Sequence, residues 1–355
     1  MNALGWAYRL CGDIQKAEIY YWEARRKCIL EGGLERDELK EDYGWISNNL
    51  AFVLSENKET REQAMDIGRD AIKHWQSIGH DIGLGAAFLV LGNSYYRDGR
   101  RSSALEAYEK ALEIFKLLEH YDWLGRIYSW RGILYLDLNQ KDPNKYDLEK
   151  AEKELIRSLE IGSQDIRAMM LNRLGRVYMR QGKWQEAEKC MQESFELAQK
   201  LPDYRYWIAS LARLFSIATE LGQHKKLDEY HKLLEDCPEI AKKSYKYDLG
   251  LGYIGLTKLS FIQENPDKKT IIAYLKHGIS LLVESESYAH SNISGRLELI
   301  EKDFYKINPL LIRSIGQKLE EYSSKKSSQH HNVCYNKVTE IMHRWANWKK
   351  EEKIV

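Results

Sequence analysis

One spacing recurs along this chain without a gap, and it constrains the fold more than any other feature. Leu4-Gly5, Tyr8, Gly12, Ala17, Tyr21 and Ala24 set the pattern. Leu91-Gly92, Tyr95, Gly99, Ala104, Tyr108 and Ala111 repeat it residue for residue, and Leu174-Gly175, Tyr178, Gly182, Ala187, Met191 and Ser194 keep the same spacing. Looser copies open at Leu50-Ala51 and Arg131-Gly132, degenerate ones at Leu211-Ala212 and Leu249-Gly250. Successive starts are 46, 41, 40, 43, 37 and 38 residues apart. A length of 355 residues would otherwise suggest two or three domains; a long fixed period points instead to one stacked array.

The internal spacing describes two helices and a turn. Ala17 and Ala24 share one helical face with Tyr21 between them. Gly12, Gly99 and Gly182 stand where a first helix must stop and reverse. Gly5, Gly92 and Gly175 leave room for the partner helix to approach. A single hairpin cannot bury its own apolar stripe, so stacked neighbours supply the core. Pro143, Pro202, Pro238, Pro266 and Pro309 all fall between the expected helices, as a residue that interrupts helices should.

These residues resemble the tetratricopeptide repeat, whose signature is W-x2-L-G-x2-Y, then A-x3-F, then A. The resemblance covers residues 1–235 well and 236–285 weakly. It implies an all-α fold, a right-handed α-solenoid of antiparallel helix pairs (a TPR-like superhelix), with about seven pairs over residues 1–285 and the last two degenerate. The observed period exceeds the usual repeat of about 34 residues, which calls for longer helices or connections. Long-period arrays of this kind resemble the sensor regions of STAND-type signal-transduction NTPases and the Rap-type peptide receptors. No G-x-x-x-x-G-K-[ST] occurs, so any nucleotide-driven motor would lie outside this chain.

Beyond the array the pattern stops. Residues 286–322 are expected to form capping helices, the second opened by Asn308-Pro309. Residues 323–332 read as a polar linker. Residues 333–355 read as an amphipathic helix with Val338, Ile341, Met342, Trp345 and Trp348 on one face, folded over the last repeat. At the other end Leu4 follows Met1 by three residues. The first helix is therefore expected to be short and the array to continue an upstream domain or subunit.

Several chemistries are disfavoured. The chain carries 54 basic and 53 acidic residues, whereas nucleic-acid binders usually show a basic excess. It has no apolar run long enough to span a bilayer, and no signal peptide is expected, since Met1 to Tyr8 shows no basic region followed by an apolar stretch. Its five cysteines are widely and irregularly spaced, which fits neither a disulfide framework nor a zinc site and suggests the cytoplasm. Gly250-Leu251-Gly252-Tyr253-Ile254-Gly255 matches G-x-G-x-x-G, but a dinucleotide site needs a preceding strand; closely packed helix glycines are the better account. His330, His331, Cys334 and His343 lie in or beside the polar linker and read as solvated. No G-x-S-x-G or H-E-x-x-H occurs. No cofactor, metal or catalysis is expected.

A ligand would be expected on the concave face lined by the first helices, which the resemblance implies. Residues two after and two before each leading position project inward, and following that row on the helical period gives Trp6 and Arg9 in the first copy and Trp45, Asn48 and Phe52 in the second. Asn93, Tyr96 and Arg97 follow in the third and Arg126 in the fourth. Met169, Asn172, Arg176 and Arg180 come from the fifth, Tyr206 and Arg213 from the sixth. Arginines and aromatics dominate and carboxylates are nearly missing from this set, which suits an acidic or C-terminal-carboxylate segment of a protein or peptide partner. The carboxylate clamp of co-chaperone repeats is incomplete: Asn93 and Arg176 match, but Leu89 and Asn172 stand where lysines belong. The expected function is a non-enzymatic binding scaffold, the sensor or partner-recognition module of a cytoplasmic signalling or defence system. Alternatives are a Rap-like peptide receptor that regulates a response protein and, third, an RNA-binding helical repeat.

Overall fold

The three gapless copies close their turns with one hydrogen-bond pattern. Asp13, Arg100 and Lys183 each donate a backbone N–H to the carbonyl of Tyr8, Tyr95 and Tyr178 at 2.9 Å. Gly12, Gly99 and Gly182 hold φ at +81°, +83° and +74°, the left-handed backbone that lets a helix end and reverse in so few residues. The same closure recurs at Gly222 (φ +67°), where Gln223 N–H donates to Ala218 O at 2.9 Å. Gly222 thus occupies the place of Gly12, and the sixth copy begins at Leu214, three residues later than Leu211-Ala212 suggested.

The computed structural model describes residues 1–10, 12–141, 148–200, 204–236, 246–262 and 268–284. Among them are fourteen α-helices, one 3-10 turn at Gln164–Ile166 and no strand. They run as consecutive pairs: α1 (Asn2–Leu10) and α2 (Ile14–Leu30), α3 (Asp37–Leu54) and α4 (Arg61–Ile78), α5 (Asp81–Asp98) and α6 (Arg101–Leu117), α7 (Tyr121–Lys141) and α8 (Leu148–Ile161). Then follow α9 (Arg167–Gln181) and α10 (Trp184–Ala198), α11 (Tyr204–Glu220) and α12 (His224–Glu235), α13 (Lys246–Ile262) and α14 (Lys268–Glu284). The architecture is an all-α solenoid of antiparallel helix pairs. Helices α3 to α6 are 17 or 18 residues each, and this length absorbs the long repeat period. The capping helices, linker and terminal amphipathic helix expected over 286–355 lie outside the described residues.

Two compact units divide the chain, Met1–Ser210 and the residues from Leu211 onward. In the first unit the repeat glycines do what their spacing implies. A Cβ on Gly5, Gly92 or Gly175 would meet Tyr21 at 2.9 Å, Tyr108 at 2.5 Å or Met191 at 2.7 Å. Tyr21, Tyr108 and Met191 are fully buried, as are Ala17, Ala104 and Ala187. Trp75 fills the corresponding space between Gly44 and Gly83, each within 2.4 Å of its ring if given a Cβ. The core is shared between neighbours: Leu89 of α5, Tyr108 and Phe115 of α6 and Ile127 and Leu134 of α7 form one cluster. Ile133, Leu155, Leu171, Val177 and Cys190 carry a second one from α7 to α10.

In the second unit Gly252 and Gly255 lie on α13, where an added Cβ would meet Leu234 and Phe215 at 3.2 Å. Gly250 belongs to the same helix, its carbonyl 3.0 Å from a Cβ placed on Gly278. The G-x-G-x-x-G match therefore lies within a helix, its glycines packed against neighbouring helices. Phe215 and Tyr230 meet edge to face at 5.9 Å, joining α11 to α12.

Candidate functional site

Within the first unit, one side chain from each of five successive first helices builds a ladder of alternating cation and ring. Arg9 of α1 lies 5.1 Å from the Phe52 ring of α3. Arg97 of α5 covers Phe52 at 4.7 Å and reaches the Trp130 ring of α7 at 5.6 Å. Arg173 of α9 lies 4.0 Å over Trp130. Trp6 extends the ladder at its start, 4.2 Å beneath Arg9. Each such contact stabilises by about 0.5–2 kcal/mol, more as water is withdrawn. The repeat makes the ladder possible, because stacked first helices bring equivalent positions side by side.

Carboxylates thread the same face, which corrects the expectation that they are nearly missing there. Glu56, just past the end of α3, accepts from Arg97 Nη2 at 2.6 Å and lies 3.9 Å from Arg205 Nη1 at the start of α11. An ion pair therefore joins the second hairpin to the sixth. Burial works to raise the Glu56 pKa, but Arg97, Arg205, Arg9 and Arg61 outweigh it and hold the carboxyl below its usual range. Arg97 also donates to Ser55 Oγ. Asp137 of α7 accepts from the Tyr96 hydroxyl and lies 3.7 Å from Arg176 Nη2. Burial, then the Asp137 charge, push the Tyr96 phenol well above its ordinary value. Glu56 and Asp137 both sit six residues after the leading position of their copy, and Trp130 and Arg173 one residue before. Arg97 and Arg180 stand at that same six-residue step, so the expected row already ran through the carboxylate positions, while Trp130 and Arg173 lie one step off it.

The structure divides the expected groove residues. Trp6, Arg9, Phe52, Tyr96, Arg97 and Arg176 belong to the ladder and its ion pairs. Tyr206 lies in the electrostatic neighbourhood of Arg173. Arg126 lies 5.8 Å from the Trp123 ring, and Met169 is half-buried. Arg180 is exposed at the end of α9. Three asparagines are corrected from groove lining to interior pins. Asn48 accepts from Trp75 Nε1 and donates to Gly83 O, both at 3.4 Å. Asn93 accepts from the Tyr108 hydroxyl at 2.9 Å, and Asn172 donates to Ser210 Oγ at 2.8 Å. All three are buried, with their side-chain amides engaged by partners inside the array. Trp45 packs edge-on against Trp75 at 5.3 Å. Arg213 belongs to the second unit, where it pairs with Asp248 at 3.1 Å.

Among the described residues no group of three His, Cys, Asp or Glu is placed to hold a metal ion. His330, His331, Cys334 and His343 lie outside them. No described helix is long and apolar enough to cross a membrane.

Models of the tetratricopeptide repeat match residues 165–226 and 85–119. No curated protein matches the chain by sequence. Among solved structures, a Rap protein complexed with competence and sporulation factor is similar at 16% identity and a TM-score of 0.50, covering 90% of this chain and 97% of that one. Human IFIT1 dimers are similar at 16% identity: the one with m7Gppp-AAAA covers 97% of this chain and 70% of that one with a TM-score of 0.55. The one with PPP-AAAA covers 96% and 71% with a TM-score of 0.52. At this identity the likeness concerns the fold. The turn closures, the glycine approaches and the two matched segments agree: the chain carries tetratricopeptide repeats.

Proposed function

We propose that this protein is a non-enzymatic scaffold that binds a protein or peptide along the ladder face of its first helices. The observation that carries this reading is the run Arg9, Phe52, Arg97, Trp130 and Arg173. It presents cationic and aromatic groups in register, and these are the side chains that anchor interfaces. Glu56 and Asp137 among them suit a segment carrying both signs of charge and backbone amides, with an acidic or C-terminal-carboxylate end met by the arginines. In this reading the chain is the sensor or partner-recognition module of a cytoplasmic signalling or defence system.

A second reading takes support from the Rap protein, whose complexed peptide and nearly full mutual coverage suit a peptide receptor that regulates a response protein. The RNA oligomers in the IFIT1 structures keep nucleic acid as a third reading; Glu56 and Asp137 on the face oppose a phosphate chain. Capture of partners from lysate, with charge reversal at Arg176 and Arg180, tests the scaffold. Binding should weaken with circular dichroism unchanged, and unaltered capture would refute the ladder face as the binding surface. Compaction in small-angle scattering on adding a captured peptide would favour the receptor reading.

A further inference from the structure

Arg173 is a buried cation with no carboxylate paired to it among the described residues. Its side chain is 6 % exposed. Nη1 donates to Ser129 Oγ at 2.8 Å, and the guanidinium lies 4.0 Å over Trp130. Its charged and polar surroundings are otherwise Tyr206, Tyr96 and Tyr108 and a second guanidinium, Arg176. Burial lowers its pKa, and Arg176 adds to that effect. Trp130 separates two cations of unequal circumstance. Arg97, 5.6 Å from the ring, is held by Glu56, whereas Arg173 has a hydroxyl and an aromatic face. These offset only part of the hydration a guanidinium loses on burial. An anion beside Arg173 would complete a pairing of the kind that Arg97 has with Glu56 and Arg176 with Asp137.

We propose that Arg173, Trp130 and Tyr206 seat a carboxylate of the bound peptide, either its C-terminus or an Asp or Glu side chain. This rests on the peptide-binding reading above and names the group recognised and its place. A guanidinium offers a planar pair of donors that matches a carboxylate, and Tyr206 adds a hydroxyl from the next first helix. A compact single anion fits better than a phosphodiester chain. Asp137 lies between Tyr96 and Arg176, and Glu56 between Arg97 and Arg205. A polyanion laid along the face would run against both, while a single carboxylate stops at Arg173.

The test uses the full chain immobilised and a pool of random pentapeptides made twice, once as free acids and once as C-terminal amides without Asp or Glu. A pool of random 5′-phosphorylated RNA decamers runs in parallel, and retained species are identified by mass spectrometry. The expected result is retention of peptides from the free-acid pool over the amide pool, with affinity falling about tenfold or more in Arg173→Gln. Tyr206→Phe should show a smaller fall. Retention from the two peptide pools alike overturns the carboxylate seat and leaves the peptide scaffold standing. Retention of nothing, or of RNA in place of peptides, overturns both. Because the acid and amide pools are compared on the unaltered protein, the proposal stays falsifiable even if Arg173→Gln does not fold.

Discussion

Glu56 accepts a hydrogen bond from Arg97 at 2.6 Å, tying the end of one first helix to the end of the next. Its carboxyl is held below the ordinary value of 4.5 by four arginines against the opposing effect of burial. A depressed carboxyl contributes stability that is present above its unfolded pKa and lost as pH falls through the folded one. Glu56→Gln should therefore cost about 1–3 kcal/mol at neutral pH. The gap between variant and parent should close as pH drops below 4.5. Urea melts at several pH values would check this, and a gap constant down to strongly acid pH would refute it.

Phe52 lies between Arg9 and Arg97, at 5.1 and 4.7 Å. Leucine keeps the apolar bulk and removes the ring quadrupole that attracts both cations. Phe52→Leu is expected to lower stability by about 1–2 kcal/mol, from two contacts of modest size. Phe52→Tyr should be nearly neutral. Thermal denaturation of the two variants side by side separates the ring's electrostatics from its volume.

Two glycines should respond to alanine for different reasons. At Gly92 the new methyl would meet the buried Tyr108 ring at 2.5 Å. That overpacking should cost about 1–3 kcal/mol despite the better helix propensity of alanine. At Gly79 nothing lies within 4 Å, but φ is +67°, so Gly79→Ala should cost about 1 kcal/mol from backbone strain alone. Denaturation midpoints check the sizes. A Tyr108→Leu background should rescue only Gly92→Ala.

Cys190 and Cys28 are buried thiols. Burial, then the nearby Glu193 charge, push Cys190 to about 11. Burial and then Asp42 raise Cys28 as well. Because the thiolate is the nucleophile, alkylation of Cys190 at pH 8 should be slow in the native protein and fast in urea. Peptide mapping after timed iodoacetamide treatment reads this directly. Rapid native labelling at Cys190 would contradict its burial.

The hairpins were legible because each signal is local. Glycine at a left-handed turn, alanine and tyrosine on one helical face, and glycine opposite an aromatic all act within one hairpin of about forty residues. The register failed at the sixth copy, where Gly222 closes the turn but the residues before it had lost the Leu-Gly pair, so an apolar Leu211 stood in for Leu214. The candidate face was read less well. Spacing alone does not tell whether Asn48, Asn93 and Asn172 look outward or pin Trp75, Tyr108 and Ser210 inside. Nor does it say which carboxylates arrive beside the arginines, because the partners come from other repeats.

By itself the sequence determined the class of the fold: a strict period whose units cannot bury their own apolar faces must stack, and stacking of helix pairs makes a solenoid. What only the tertiary structure decided is the charge chemistry of the inner helices. The pairing of Glu56 with Arg97 and Arg205, of Asp137 with Arg176, and the solitary state of Arg173 over Trp130 depend on which positions the superposed helices bring within a few ångströms. Coulomb and cation–π energies fall steeply over those distances, so the stacking geometry selects the partners.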